Sequence, residues 1–172
     1  MKSIRHIATM GLLFALALVL SALEGMLPPL PFLPPGIKPG FSNIVTMYCL
    51  LYEGNGSAYA LATLKAGFTL LVGGTVAACM SLCGGLTAVT VMVLLHLPKR
   101  YPCSVFLMSV FGAVFHNFGQ LAVAAILFGH TTAFAYLPIL LVSGVLMGAL
   151  TGIIMKTVLP AIEKLNWSAK SI

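Results

Sequence analysis

The chain contains no aspartate, and its only carboxylates are Glu24, Glu53 and Glu163. Magnesium-dependent chemistry on diphosphates needs clustered carboxylates to hold the metal, so these residues exclude it. A Ser/His/Asp relay lacks its third member, and nothing in the spacing puts a glutamate in that place. No G-x-x-x-x-G-K-[ST] string is present, which excludes ATP hydrolysis through a P-loop. No H-E-x-x-H string and no histidine pair at metal-ligand spacing occurs, so neither a metal nor another cofactor is expected. The four cysteines, Cys49, Cys79, Cys83 and Cys103, form no C-x-x-C pair; they read as small buried hydrophobes. On these grounds the chain is expected to be no enzyme and to carry no catalytic residue.

Charge is scarce as well. Only 7% of the 172 residues are charged while 60% are hydrophobic, against about 25% charged in a soluble domain. So little charge cannot cover a water-facing surface, and the mean hydropathy of +1.08 points to a protein embedded in a lipid bilayer. The net charge of +6 does not indicate a nucleic-acid partner. The basic residues form no patch; they flank apolar segments, as orientation signals do.

What is present is a series of apolar runs. Six emerge, over residues 7–23, 41–52, 58–72, 80–97, 103–128 and 134–158. The predicted fold is all-α: one transmembrane domain over residues 1–172, a bundle of six transmembrane helices. The first run follows Lys2 and Arg5 and resembles a signal peptide, but the loop after it is proline-rich rather than shaped for cleavage, so it reads as a retained span. That loop, 24–40, holds Pro28, Pro29, Pro31, Pro34, Pro35 and Pro39, which forbid helix and favour a stiff extended path. Its apolar residues suit a lid over a site. The second run is short, about 18 Å by helical rise against a core of about 30 Å. Gly73 and Gly74 separate the third run from the fourth, and Pro160 is expected to stop the last helix.

With six spans both termini share a side. That side collects Lys2, Arg5, Lys99, Arg100, Lys156, Lys164 and Lys170, and the other receives only Lys38. The bias places the termini in the cytoplasm and the protein in a bacterial cytoplasmic membrane.

Polar side chains inside apolar runs mark function by default. Lys65 is the one full charge well inside a span, suited to meeting an anionic ligand group or a glutamate such as Glu24. His116, Asn117 and Gln120 lie in the fifth run; 116 and 120 share a helix face and 117 lies beside them. Lys38 and Asn43 could face the same cavity from the outer end of the second run. Gly144, Gly148 and Gly152 make a flat stripe for close helix approach, within the chain or between subunits, and Gly11 with Ala15 do the same on the first run.

Gly36, Lys38, Gly40 and Asn43, the Ser81–Gly85 string, the G-A-x-x-H-N-x-G-Q string from Gly112 to Gln120, and Tyr136, Pro138, Gly144 and Gly148 resemble the Gx transporter family, also labelled heptaprenyl diphosphate synthase component I. The likeness runs from about Ile4 to Val158. It implies kinship with the substrate-binding S components of energy-coupling factor transporters, six-helix proteins that capture micronutrients from outside and dock on a transmembrane T subunit carrying two ATPases. By that resemblance Lys38, Asn43, His116, Asn117 and Gln120 line the ligand side, and Gly11 and Ala15 meet the T subunit. Lys65 stands where the family pattern tends to have arginine, so the bidentate fork is lost. The expected function is capture of an unidentified small molecule for import. The alternatives are a non-catalytic accessory factor in isoprenoid or quinone metabolism or membrane electron transfer, and a stand-alone oligomeric transporter.

Overall fold

In the computed structural model, which describes residues 2–26, 40–98 and 103–170, the chain forms five helices in the order α1 Lys2–Met26, α2 Phe41–Tyr52, α3 Asn55–His96, α4 Val105–Phe128 and α5 His130–Lys170. Four stretches are long and apolar enough to cross a membrane: His6–Glu24, Asn55–His96, Val105–Leu127 and Ala135–Pro160. The chain is therefore a multi-pass helical membrane protein.

The third and fourth predicted runs form the two halves of α3, and residues 75–79 between them are helical. The break expected at Gly73 and Gly74 is confined to one residue. Gly74 has φ 80° and ψ −179°, a backbone that only glycine adopts without strain. The two halves of α3 then fold back on each other. Tyr59 Oη lies 2.9 Å from Thr90 Oγ1, Ala62 packs where a Cβ on Gly85 would sit, and Ala58 and Ala62 share a buried cluster with Ala88, Val89 and Met92. Small residues on both faces let the halves approach closely.

Other boundaries also move. α1 extends beyond 7–23 at both ends, so residues 24–26 of the expected loop are helical; 27–39 lie outside the described residues. α4 starts after Ser104, whose hydroxyl accepts from Leu107 N at 3.2 Å as its N-cap, a capping bond the apolar pattern did not reveal. Pro160 does not stop the last helix, nor does a non-helical tail follow it: α5 runs through Pro138 and Pro160 to Lys170. Each proline removes one backbone donor, a loss that membrane helices tolerate when neighbours and local adjustment re-satisfy the freed carbonyl.

A tight seam lies between α4 and α5. A Cβ on Gly148 would stand 2.6 Å from Val110 Cα, one on Gly144 3.0 Å from Val114 Cα, and one on Gly152 3.2 Å from Phe106 Cα. The glycine stripe thus has its partner within the chain. A buried Ser109–Thr151 hydroxyl pair at 2.7 Å crosses the same seam. α1 is attached more lightly, through Leu13 and Ala17 against Val45, Cys49 and Leu61.

Candidate functional site

The site grows from the first turn of α2. The helix has four backbone N–H groups to satisfy at that end, yet its N-cap, Gly40 at φ 81°, supplies no side-chain acceptor. Glu24, from the end of α1, takes that role: its Oε1 accepts from Ser42 N at 3.0 Å, and the residue is only 5% exposed. Lys65 reaches the same turn from α3. Its Nζ donates to Ser42 Oγ at 3.0 Å and to Asn43 Oδ1 at 3.3 Å, with Glu24 in electrostatic reach. Lys65 stands about 15 Å along α3 from its first residue, roughly half the thickness of a hydrocarbon core. A carboxylate, an ammonium and the positive end of a helix therefore neutralise one another at mid-depth.

The polar residues of α4 divide between two faces. His116 and Gln120 pair with each other, Nε2 to Nε2 at 3.0 Å, and pack against Gly84 of α3, where a Cβ would meet both side chains at 3.0 Å. His116 Nδ1 is buried, with no hydrogen-bond partner of good geometry among the described residues. Asn117 turns the other way. Its Nδ2 donates to Leu140 O at 2.9 Å and lies 3.4 Å from Ser143 Oγ, both on α5. The 100° step between neighbouring helix positions is enough to send it into a different seam. Asn117→Ala is expected to cost about 1 kcal/mol by removing the α4–α5 hydrogen bond, since Leu140 O keeps the Ser143 hydroxyl as a donor at 3.0 Å. Thermal unfolding will register that loss, and ligand affinity will not move.

Between α2, α3, α4 and α5 lies a small cleft of about 20 Å³, room for about one water. Met47, Ala88, Met92 and Ala113 form its walls; Asn43 and the Ser109–Thr151 pair supply its polar edges. Gly40, the residue after segment 27–39, lines it too. Gly112 keeps it open: a Cβ there would stand 3.1 Å from Met92 Sδ.

Of the residues singled out in the sequence, Asn43 and Lys65 come together around Ser42, and Asn43 also faces the cleft. His116 and Gln120 form a neighbouring pair, and Asn117 is apart. Lys38 lies outside the described residues. Gly11 and Ala15 are exposed on α1, with open space where a Gly11 side chain would be.

Three features escaped the sequence reading. Glu24 was read as part of a loop and not as a cap for a helix 18 residues on. The contact of Gly119 with Cys83 O and Thr87, too tight for any Cβ, was signalled only by a glycine inside the His116–Gln120 string. The third is a group at the other end of the bundle. His6 Nδ1 lies 2.6 Å from Glu53 Oε2, and His6 Nε2 lies 3.4 Å from Ser57 Oγ. That is the connectivity of a serine–histidine–glutamate relay, which the spacing did not show. The Ser57 hydroxyl, however, donates to Glu53 O at 3.1 Å, so its proton is not offered to the imidazole. The group acts as a clasp joining α1 to the α2–α3 turn. The imidazole side chain is 46% exposed, so His6→Ala is expected to lower stability by less than about 1 kcal/mol in a detergent melting curve.

A family model described as heptaprenyl diphosphate synthase component I matches residues 13–158. No curated protein and no solved structure matches the chain.

Proposed function

The chain belongs to the heptaprenyl diphosphate synthase component I family, and from that premise we propose that it is a substrate-capturing membrane subunit, of the S-component type, in an energy-coupling factor importer. The observation that carries this reading is the polar cluster of Glu24, Ser42, Asn43 and Lys65 inside an apolar bundle, beside a small cleft that Asn43 lines. A polar floor inside an apolar bundle is what a membrane receptor for a small molecule needs. The ligand enters from outside, and Gly40 lines the cleft.

The crossing number belongs to the same proposal. Counting the two halves of α3 separately, and α2 as a short crossing that begins at mid-depth, gives six passages. The halves are about 19 and 22 residues long, roughly 28 and 33 Å, and each is long enough to span. Both termini then lie in the cytoplasm, the side that the basic residues of the sequence favour. The protein itself is non-catalytic. Energy comes from a T subunit and two ATPases, and the exposed Gly11 and Ala15 face of α1 is where the T subunit docks.

Affinity purification from the native membrane tests this. Co-elution with a transmembrane partner and two ATPases supports the importer reading. Elution with a prenyl diphosphate synthase subunit or bound isoprenoid, and no ATPase, replaces it with the accessory role that the family description suggests. A homo-oligomer that transports unaided replaces it with the stand-alone transporter.

A further inference from the structure

We infer that α1 is a hinged element of the bundle: it pivots at its Glu24 end and is latched at its His6 end by Glu53 and Ser57, a motion independent of any captured ligand. The two ends are fastened differently. At one end Glu24 is only 5% exposed. Its Oε1 accepts from Ser42 N at 3.0 Å, and the residue has a further interaction besides. Ser42 in turn is held from α3 by Lys65 Nζ at 3.0 Å, so three helices meet at that point. At the other end His6 Nδ1 lies 2.6 Å from Glu53 Oε2, and His6 Nε2 lies 3.4 Å from Ser57 Oγ. There the imidazole side chain is 46% exposed and the carboxylate side chain 22%. Water replaces such a bond at little cost, whereas a polar group pulled loose inside the span finds no substitute. Thr9 and Tyr52 add interactions of their own, and Tyr52 is 39% exposed, so the latch end stays open to water.

Between the two ends α1 is packed thinly. It buries Leu13 and Ala17 against Val45, Cys49 and Leu61, and the Cys49 thiol donates to Met10 Sδ at 3.7 Å. Leu12, Leu16, Val19 and Leu23 face outward. Unlike the glycines of the α4–α5 seam, Gly11 has no neighbour within reach of a Cβ. Lipid chains are as apolar as leucine, so a helix that leans away loses packing but meets no hydrophobic penalty. From Glu24 to His6 the arm is about 27 Å by helical rise, and a tilt of about 10° moves the latch end by about 5 Å. That displacement parts Met10 from Cys49 and bares the Cys49 thiol, which is buried while α1 is in place. Cys49 stands about 5 Å from the last residue of α2, close enough to the latch end for water to reach it.

Cys49 therefore reports the motion in the chain as it stands. The purified full chain in lipid nanodiscs is treated with N-ethylmaleimide, and the modified peptides are quantified by mass spectrometry against the exposed Cys79. His6→Ala is expected to speed labelling of Cys49 roughly fivefold, the change that loss of one exposed bond allows, and to leave Cys79 unchanged. Glu53→Gln is expected to do the same. His6→Ala keeps the Glu53 carboxylate, so a faster rate in that variant is not the loss of its charge. Ser21→Cys, a half-buried position near the hinge, supplies the control thiol, and its rate is expected not to change when His6→Ala is added. Unchanged labelling of Cys49 in both latch variants overturns the inference. Faster labelling at Cys49 and at the Ser21→Cys thiol alike also overturns it, since α1 would then leave as a whole. The capture reading fails separately, if no ATPase partner co-elutes.

Discussion

Gly148→Ala is expected to open the seam between α4 and α5 and to lower stability by about 3 kcal/mol, the upper end of what overpacking costs. The new methyl would stand 2.6 Å from Val110 Cα and 3.0 Å from Ser109 O. Both atoms belong to backbone, so no rotamer change relieves the clash; the helices must separate. Separation also pulls apart the Ser109–Thr151 pair one turn away. Gly11→Ala is the control. Nothing lies within 4 Å of a Cβ there, so the change is expected to be neutral or to raise helix stability by up to about 1 kcal/mol. Thermal unfolding of the two variants in one detergent compares them. Equal melting temperatures would mean that the glycine stripe is not a packing device.

The second large effect concerns the pair at the start of α2. Lys65→Met is expected to cost on the order of 3 kcal/mol, because the buried Glu24 carboxylate loses the field of a nearby cation. Glu24→Gln is expected to cost a similar amount, since the Lys65 ammonium loses its counter-charge and Ser42 N loses an ionised acceptor. The double variant is expected to recover much of the loss, since no uncompensated charge remains. A double-mutant cycle measures this. Additive losses would show that Lys65 and Glu24 act independently and that the neutral floor does not exist.

Much of the architecture was legible in the apolar runs, because a bilayer demands long uninterrupted hydrophobic segments and punishes exposed backbone. The reversal at Gly74 was legible for a local reason: only glycine tolerates the required φ. The fates of Pro138 and Pro160 were not, since a proline breaks a helix only when no neighbour compensates for it. Of the candidate site, the buried amides and the lysine were visible as polar residues in apolar surroundings. Their division was hidden. His116 and Asn117 are adjacent in sequence, and only the placement of α3 and α5 around α4 decides which of them meets Gly84 and which meets Leu140. Glu24 was hidden for a similar reason. Its partner Ser42 lies across the proline-rich segment, and no local pattern announces a cap supplied by another helix.

The central claim, that this bundle holds one small molecule beside the polar cluster of Glu24, Ser42, Asn43 and Lys65, is tested most directly by native mass spectrometry. The full chain, purified in detergent, is incubated with a small-molecule extract of the cells that make it and then transferred to the gas phase. One adduct of constant mass per chain, released on activation, is the expected result. A bare chain mass that no extract changes would contradict the account.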